Sequence, residues 1–234
     1  MYFRLPELAF DASDIMETLL ALPKVRGADA VVRAARLYAS AMERIESQID
    51  TCYQHLIAAA ETMAGAALDG WRPDDAEQLR SMSRFVEYAV KEEKLSEDVA
   101  KRLALAACKS NTWSGKRFKK FIIDNIDRQQ VSSQDDVFPV PPELLPAADK
   151  IEQALNEVYR SRSGATHGGH SYPASAVIGT SPMIPVAAFD EVGNGQRPFP
   201  PIAWFERVVN HAIRGFLRAQ VAQLRSMRAQ PNPR

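Results

Sequence analysis

The chain has 234 residues, 46% of them hydrophobic and 25% charged, and its 29 lysines and arginines balance 29 aspartates and glutamates. That is an ordinary globular composition with enough chain to bury a sizeable core. Zero net charge excludes a global basic field, so any contact with nucleic acid has to come from a local patch. Two cysteines, Cys52 and Cys108, form neither a disulfide framework nor a metal-spaced pair, and this points to a reduced, cytoplasmic protein. Residues 1–10 lack a basic stretch leading into an apolar run, so no secretory signal is expected. No apolar run is long enough to span a bilayer, so no membrane contact is expected either.

The expected organisation is an arm over 1–28, one helical domain over 29–228 and a tail over 229–234. In the arm, residues 14–20 read as a short helix that Pro23 stops. From Asp29, a fair N-cap, Val32, Ala35, Leu37, Tyr38, Met42, Ile45, Ile49 and Tyr53 recur at steps of three and four. Leu56, Ile57, Ala60, Met63 and Ala64 continue the stripe, in a run long enough to be two helices broken near 47–51. Pro73, Asp74 and Asp75 open a helix carrying Leu79, Met82, Phe85, Val86 and Ala89 toward Val90. Ser96 caps another with Val99, Leu103, Leu105 and Ala106, ending at Cys108. Ser114 caps a helix over 116–127 that turns Phe118, Phe121, Ile122 and Ile126 inward.

Residues 129–136 read as a polar loop, and 139–142 as a stiff proline connector. A helix over 143–159 follows, with Leu144, Ala148, Ile151, Leu155 and Val158 as its stripe. Prolines and glycines then dominate an irregular excursion over 172–201, with a candidate strand at 183–189 and a turn at Asn194-Gly195. The last helix spans about 201–227 and carries Ile202, Phe205, Val208, Val209, Ala212, Ile213, Phe216 and Leu217. Nothing alternates as a sheet core would, so the expected class is all-α.

The chemistry-bearing stretch is Tyr159-Arg160-Ser161-Arg162-Ser163-Gly164-Ala165-Thr166-His167-Gly168-Gly169, read as a turn-rich segment after the 143–159 helix. Arginine grips phosphate with a planar two-donor fork, and histidine moves a proton near neutral pH. Together they are a minimal set for cleaving a phosphodiester without a metal. Five steps along a helix rotate about 140°, so Arg162 and His167 do not share a helical face. Either the segment is locally non-helical, as Gly164 permits, or each side chain works with a twofold mate. Paired-histidine spacing, a cysteine cluster and a Gly-rich phosphate loop are all missing, so no metal and no cofactor is expected.

The same residues resemble the signature of the HEPN superfamily, specifically its Apea-like branch. The likeness lies in Tyr159-x-x-Arg162-Ser163-x-x-x-His167-Gly168-Gly169, where four residues separate arginine from histidine. Ala35-Arg36-Leu37-Tyr38-x-x-Ala41, followed by His55 through Glu61, is similar to the branch's opening helices. Trp204 through Val209 and Ile213 through Leu217 resemble its closing helix. Thr166 stands where an apolar residue is common, and Ser163 where asparagine or aspartate is common elsewhere in the superfamily.

The resemblance implies an antiparallel helical bundle that forms a homodimer, with the arginine and histidine of two protomers lining one cleft. It implies a metal-independent endoribonuclease acting as a toxin or phage-defence effector, with an antitoxin or another defence protein as a possible partner. A non-catalytic module binding RNA or a partner protein is the alternative, and an unrelated all-α interaction protein is a third reading. In the first, Arg162 stabilises the phosphorane and His167 acts as general acid or base. Arg160 is the rival arginine, or a phosphate-positioning group. Ser163 orients the phosphate or caps a following helix. Glu61 is either exposed on its helix or a buried partner that orients Arg162 or His167. Tyr159 reads as core or interface, and His170 as a loop histidine. Lys109, Lys116, Arg117, Lys119 and Lys120, with Trp113 and Phe118 among them, form either an RNA-stacking patch or a solvated helix face. Arg214, Arg218, Arg225 and Arg228 on the last helix allow the same two readings.

Overall fold

The computed structural model describes residues 12–45, 47–109, 111, 113–133, 140, 142–168, 171–172 and 199–229. Among these the chain is all-α, with two short 3-10 turns at Leu22–Lys24 and Pro142–Leu144. The candidate strand at 183–189, the Asn194-Gly195 turn and His170 lie outside the described residues. No helix among the described residues is long and apolar enough to cross a membrane.

Helix α1 (Ala12–Ala21) ends at the turn containing Pro23, which has no N–H to continue the ladder. Helix α2 (Ala28–Met42) starts one residue before the expected cap, on Gly27 with φ +75°. Glycine holds that left-handed conformation without steric cost. It also sits where a Cβ would come within 2.8 Å of Ala66. The start of α2 therefore touches the end of α3 (Ile49–Ala67), so the two run antiparallel. The break between them lies over 43–48, slightly earlier than expected.

The buried face of α2 is Ala30, Val31, Ala34 and Ala41, with Leu37 and Tyr38 partly buried. Val32 is 39% exposed and Ala35 is exposed, so the stripe sits beside the one the spacing suggested. The alanines bring the two backbones close, and the bulkier side chains are displaced outward. Helix α3 is the centre of the molecule. Cys52, Tyr53, Leu56, Ile57, Ala59, Ala60 and Met63 have no exposed surface at all. It is sheathed by α2, by α7 (Ser114–Asn125), by α9 (Ile151–Gly168) and by α10 (Ile202–Ala229).

Between α3 and α7 the chain forms α4 (Asp75–Ser81), α5 (Ser83–Lys91) and α6 (Glu97–Cys108), which pack on one another. Asp74 and Ser96 cap α4 and α6, accepting hydrogen bonds from the amides of Glu77 and Val99. A break at Met82 splits the single helix expected over this stretch. The helices meet through small residues, Ala89, Ala100, Ala104 and Cys108, and leave Leu103 47% exposed. No residue of α4–α6 belongs to the main core cluster.

Three further expectations are corrected. The helix of 116–127 begins at Ser114, with Trp113 rather than Ser114 in the cap position. Asp127 caps a short helix α8 (Arg128–Ser132) where a loop was expected. Helix α9 starts at Ile151, not 143, because Pro146 cannot donate to a helical ladder and restricts the residue before it.

Helix α10 buries Ile202, Trp204, Phe205, Val208, Val209 and Ala212 completely or nearly so. Tyr38 donates to the buried carboxylate of Glu206, and Asn210 donates to the Tyr38 hydroxyl at 2.7 Å. Arg207, also buried, reaches the Val131 carbonyl at 2.9 Å and so ties α8 down. Both ends of the 173–198 segment meet on Tyr53. Tyr172 stacks on it at 4.5 Å, Phe199 meets it edge-on at 5.5 Å, and the two rings lie 5.7 Å from each other.

Gly215 marks a close approach of α10 to the end of α7. A Cβ there would sit 2.1 Å from the Asn125 carbonyl oxygen at the end of α7. A Cβ on Gly65 in α3 would meet nothing within 4 Å. Gly215→Ala is expected to lower unfolding free energy by about 1–3 kcal/mol through overpacking. Gly65→Ala should raise it by about 0.5–1 kcal/mol through backbone entropy. Urea denaturation of the two variants checks the opposite signs.

Candidate functional site

Helix α9 continues without interruption through Gly164 to Gly168, so the arginine–histidine segment is helical rather than turn-rich. That removes the locally non-helical option. Within one chain residues 162 and 167 occupy positions about 140° apart around the α9 axis. It also removes the helix-capping reading of Ser163, which lies inside α9. The side chains of Ser163 and His167 lie outside the described part of the structure.

Arg162 meets α3 at Glu61. Its Nη1 donates to Glu61 Oε1 at 2.6 Å, and Tyr159 Oη donates to the same oxygen at 2.9 Å. The guanidinium also lies 5.7 Å from the centre of the Tyr159 ring. Glu61 is therefore the half-buried orienting partner, not an exposed helix residue, with its side chain 20% exposed. One carboxylate oxygen fixes two side chains from the next helix. An ion pair at this depth keeps more of its strength than one in open solvent, because fewer waters screen it.

Tyr159 is wedged as well as hydrogen-bonded. Its ring packs 5.1 Å from Phe118, and a Cβ on Gly115 would reach its Cε1 at 2.8 Å. A glycine in the first turn of α7 thus leaves the slot in which the ring lies. Burial, then the hydrogen bond and charge of Glu61, push the Tyr159 phenol up to about 12, with Arg162 acting the other way. It stays protonated and donating at any physiological pH.

Around this cluster is a cavity of about 350 Å³, lined by Glu61, Ala64, Gly65, Ser114, Arg117, Tyr159 and Arg162. Arg117 is anchored by two hydrogen bonds, from Nε and Nη2 to the Trp71 carbonyl at 3.2 and 3.0 Å. Two arginines from different helices and one carboxylate therefore face the same space. The arrangement can accept an anion with planar donors while Glu61 fixes the approach of one of them.

A second cavity, of about 390 Å³, lies on the other side of Tyr159 and Ser114 and includes Arg160 in its wall. Arg160 is exposed and makes no contact with Glu61, so it is not interchangeable with Arg162. Of the residues singled out in the sequence, Glu61, Tyr159 and Arg162 converge and Arg160 lies next door. Ser114, Gly115 and Arg117 complete the site. Arg117 carried a signal in the basic cluster, whereas Gly115 carried only that of a small residue near a helix start. Among the described residues no group of three or more His, Cys, Asp or Glu is placed to hold a metal ion.

These features define the molecule as an all-helical bundle with an arginine–carboxylate–tyrosine cluster in a surface cavity. Comparison with protein-family models, curated proteins and solved structures gives no match.

The raised Tyr159 value has a measurable consequence. A phenol whose value is higher in the folded state stabilises fully below its ordinary 10.0, and that contribution is lost as pH rises toward about 12. The stability difference between the wild type and Tyr159→Phe should be constant below pH 10 and shrink above it. Urea unfolding of both proteins across that range checks the sign, since the other buried tyrosines are common to the pair.

Proposed function

We propose that this protein is a metal-independent endoribonuclease of the HEPN type, acting as a toxin or phage-defence effector on cytoplasmic RNA. The observation that carries the reading is Arg162, held by Glu61 and Tyr159 in a cavity that also receives Arg117. Only Nη1 of Arg162 is engaged in the described contacts, so Nε and Nη2 are available to a phosphate. Pre-orientation of such a donor lowers the barrier most when charge builds up on the phosphate oxygens.

In this reading His167 removes the proton from a ribose 2′-hydroxyl. The 2′-oxygen then attacks the adjacent phosphorus, and the bond to the 5′-oxygen of the next nucleotide breaks. The leaving oxygen takes up a proton, and the products are a 2′,3′-cyclic phosphate and a free 5′-hydroxyl. The ordinary histidine value of about 6.5 suits either half of that exchange. The roughly 140° between Arg162 and His167 on one continuous helix favours a composite site, in which the histidine acts beside the arginine of a twofold-related copy. The alternative, a module that binds RNA or a protein without cutting, shares the anion cavity but has no use for His167.

RNA incubated with the protein in chelator should be cleaved to cyclic-phosphate ends. Arg162→Ala and His167→Ala should each reduce the rate a hundredfold or more, corresponding to about 3–4 kcal/mol of barrier. End-group analysis and single-turnover rates check this. Full activity in either variant, or activity that chelator abolishes and Mg²⁺ restores, overturns the reading. Sedimentation at micromolar concentration should give a dimer, and mixing the two inactive variants should restore part of the activity through mixed dimers. A monomer that cleaves at full rate overturns the composite site.

A further inference from the structure

We infer that the second cavity, between the start of α7 and the exposed side of α9, binds a phosphate of single-stranded RNA next to the one held at Arg162. This inference rests on the ribonuclease reading for its ligand. Its geometry rests on other residues.

The cavity is lined by cations from two helices, Lys116 and Lys119 of α7 and Arg160 of α9, with no carboxylate in its wall. Two acids stand behind the lysines. Lys116 Nζ pairs with Glu77 at 2.9 Å and donates to Ser81 Oγ at 2.9 Å. Lys119 pairs with Glu152 at 3.7 Å, a long contact to a side chain 63% exposed. A pair of that kind contributes little and yields readily to a better anion. Arg160 is exposed and has no partner among the described residues. Asn156 adds an amide that can donate or accept.

The floor of the cavity carries the second, independent observation. Trp113 is 6% exposed, and its indole Nε1 is buried without a hydrogen-bond partner. Trp113 also holds a left-handed backbone, φ +54°, which a bulky residue adopts at a cost of about 1–3 kcal/mol. It stands in the cap position of α7 and gives the amides there no side-chain acceptor, and the first turn contains no acid. A helix start with no acidic residue in its first turn and with flanking cations is complementary to an anion. The Lys116 ammonium lies 4.9 Å from the centre of the Trp113 ring, so indole and charge act at one place.

The two cavities share Ser114 and Tyr159 as their common wall. A strand laid across Tyr159 therefore meets Arg162 on one side and Arg160 with Lys119 on the other. A polynucleotide carries a phosphate at every step, whereas a mononucleotide cannot fill both places.

The test uses a fluorescently labelled oligoribonucleotide with 2′-O-methyl riboses, which binds but cannot be cut through its 2′-oxygen. Affinity is measured by anisotropy over a range of NaCl concentrations for the full-length wild type, Arg160→Gln, the double variant Lys119→Gln/Arg160→Gln, and Arg102→Gln on α6 as control. Loss of one phosphate contact should lower the slope of log affinity against log salt by about 0.7 in the double variant. Arg160→Gln should weaken binding several-fold by itself, and Arg102→Gln should match the wild type. Wild-type affinity and slope in both cavity variants overturn the subsite. If Arg162→Ala still abolishes cleavage in that case, the ribonuclease reading survives. A polyglutamate peptide of equal charge that binds as tightly, with the same loss in the variants, overturns the assignment to RNA. Failure of the wild type to bind the oligonucleotide overturns both.

Discussion

Helix α3 imposes the constraint on which the rest of the molecule depends. Most of its circumference is apolar and fully buried, so it needs neighbours on every side, and α2, α7, α9 and α10 supply them. Its alanines let those neighbours come close, and each close approach fixes the next. Gly27 admits the end of α3, Gly215 admits the end of α7, and Gly115 admits Tyr159 of α9. The sheath opens where α3 becomes polar. Glu61 and Thr62 stand there, and Gly65 leaves empty space beside them. The cavity is thus a consequence of helix packing, located where α7 and α9 stop having an apolar surface of α3 to cover.

Placing a carboxylate at that opening organises its surroundings. Glu61, with its side chain 20% exposed, is too enclosed to be left without donors. Tyr159 and Arg162 supply two donors to one oxygen, and the Tyr159 hydroxyl is confined by packing against Phe118 and Gly115. The arginine is thereby held by a partner that is itself held. Removing Glu61 would release Arg162 and Tyr159 together, so their effects should not add as independent contributions. The buried Tyr38–Glu206–Asn210 group uses the same chemistry to join α2 and α10.

The long helices were legible in the sequence because their apolar spacing is dense and their caps are conventional, as at Asp74 and Ser96. What the spacing could not convey was which residues use small contacts. The stripe on α2 shifts because alanines, not Val32, face α3. Ser163 and Gly164 after Arg162 read as a turn, yet one glycine costs a helix only about 1 kcal/mol. Extending an existing helix is far easier than starting one, so α9 runs on through them. Pro146 acts the other way, because a missing N–H inside a helix is a larger defect than an indifferent propensity. At the site, Arg162, Tyr159 and Glu61 could be named from the sequence. Their meeting could not be derived from periodicity, since it joins positions 61 and 162 across two helices. The part played by Gly115 and Trp113 is a matter of shape and backbone handedness, and neither leaves a repeating signal.

The three rings of Tyr53, Tyr172 and Phe199 give the chain an unusual topology. They bring the two ends of 173–198 to one point on the core, and the Tyr172 amide is tied in addition to Asp50 at 2.9 Å. These contacts fix the separation of residues 172 and 199 on the core. Loop-closure entropy grows only with the logarithm of length, about 0.6 kcal/mol for each doubling. With residues 172 and 199 clasped on the core, a change in the number of residues between them is expected to cost the bundle little closure entropy, while the helices around α3 remain bound to their packing.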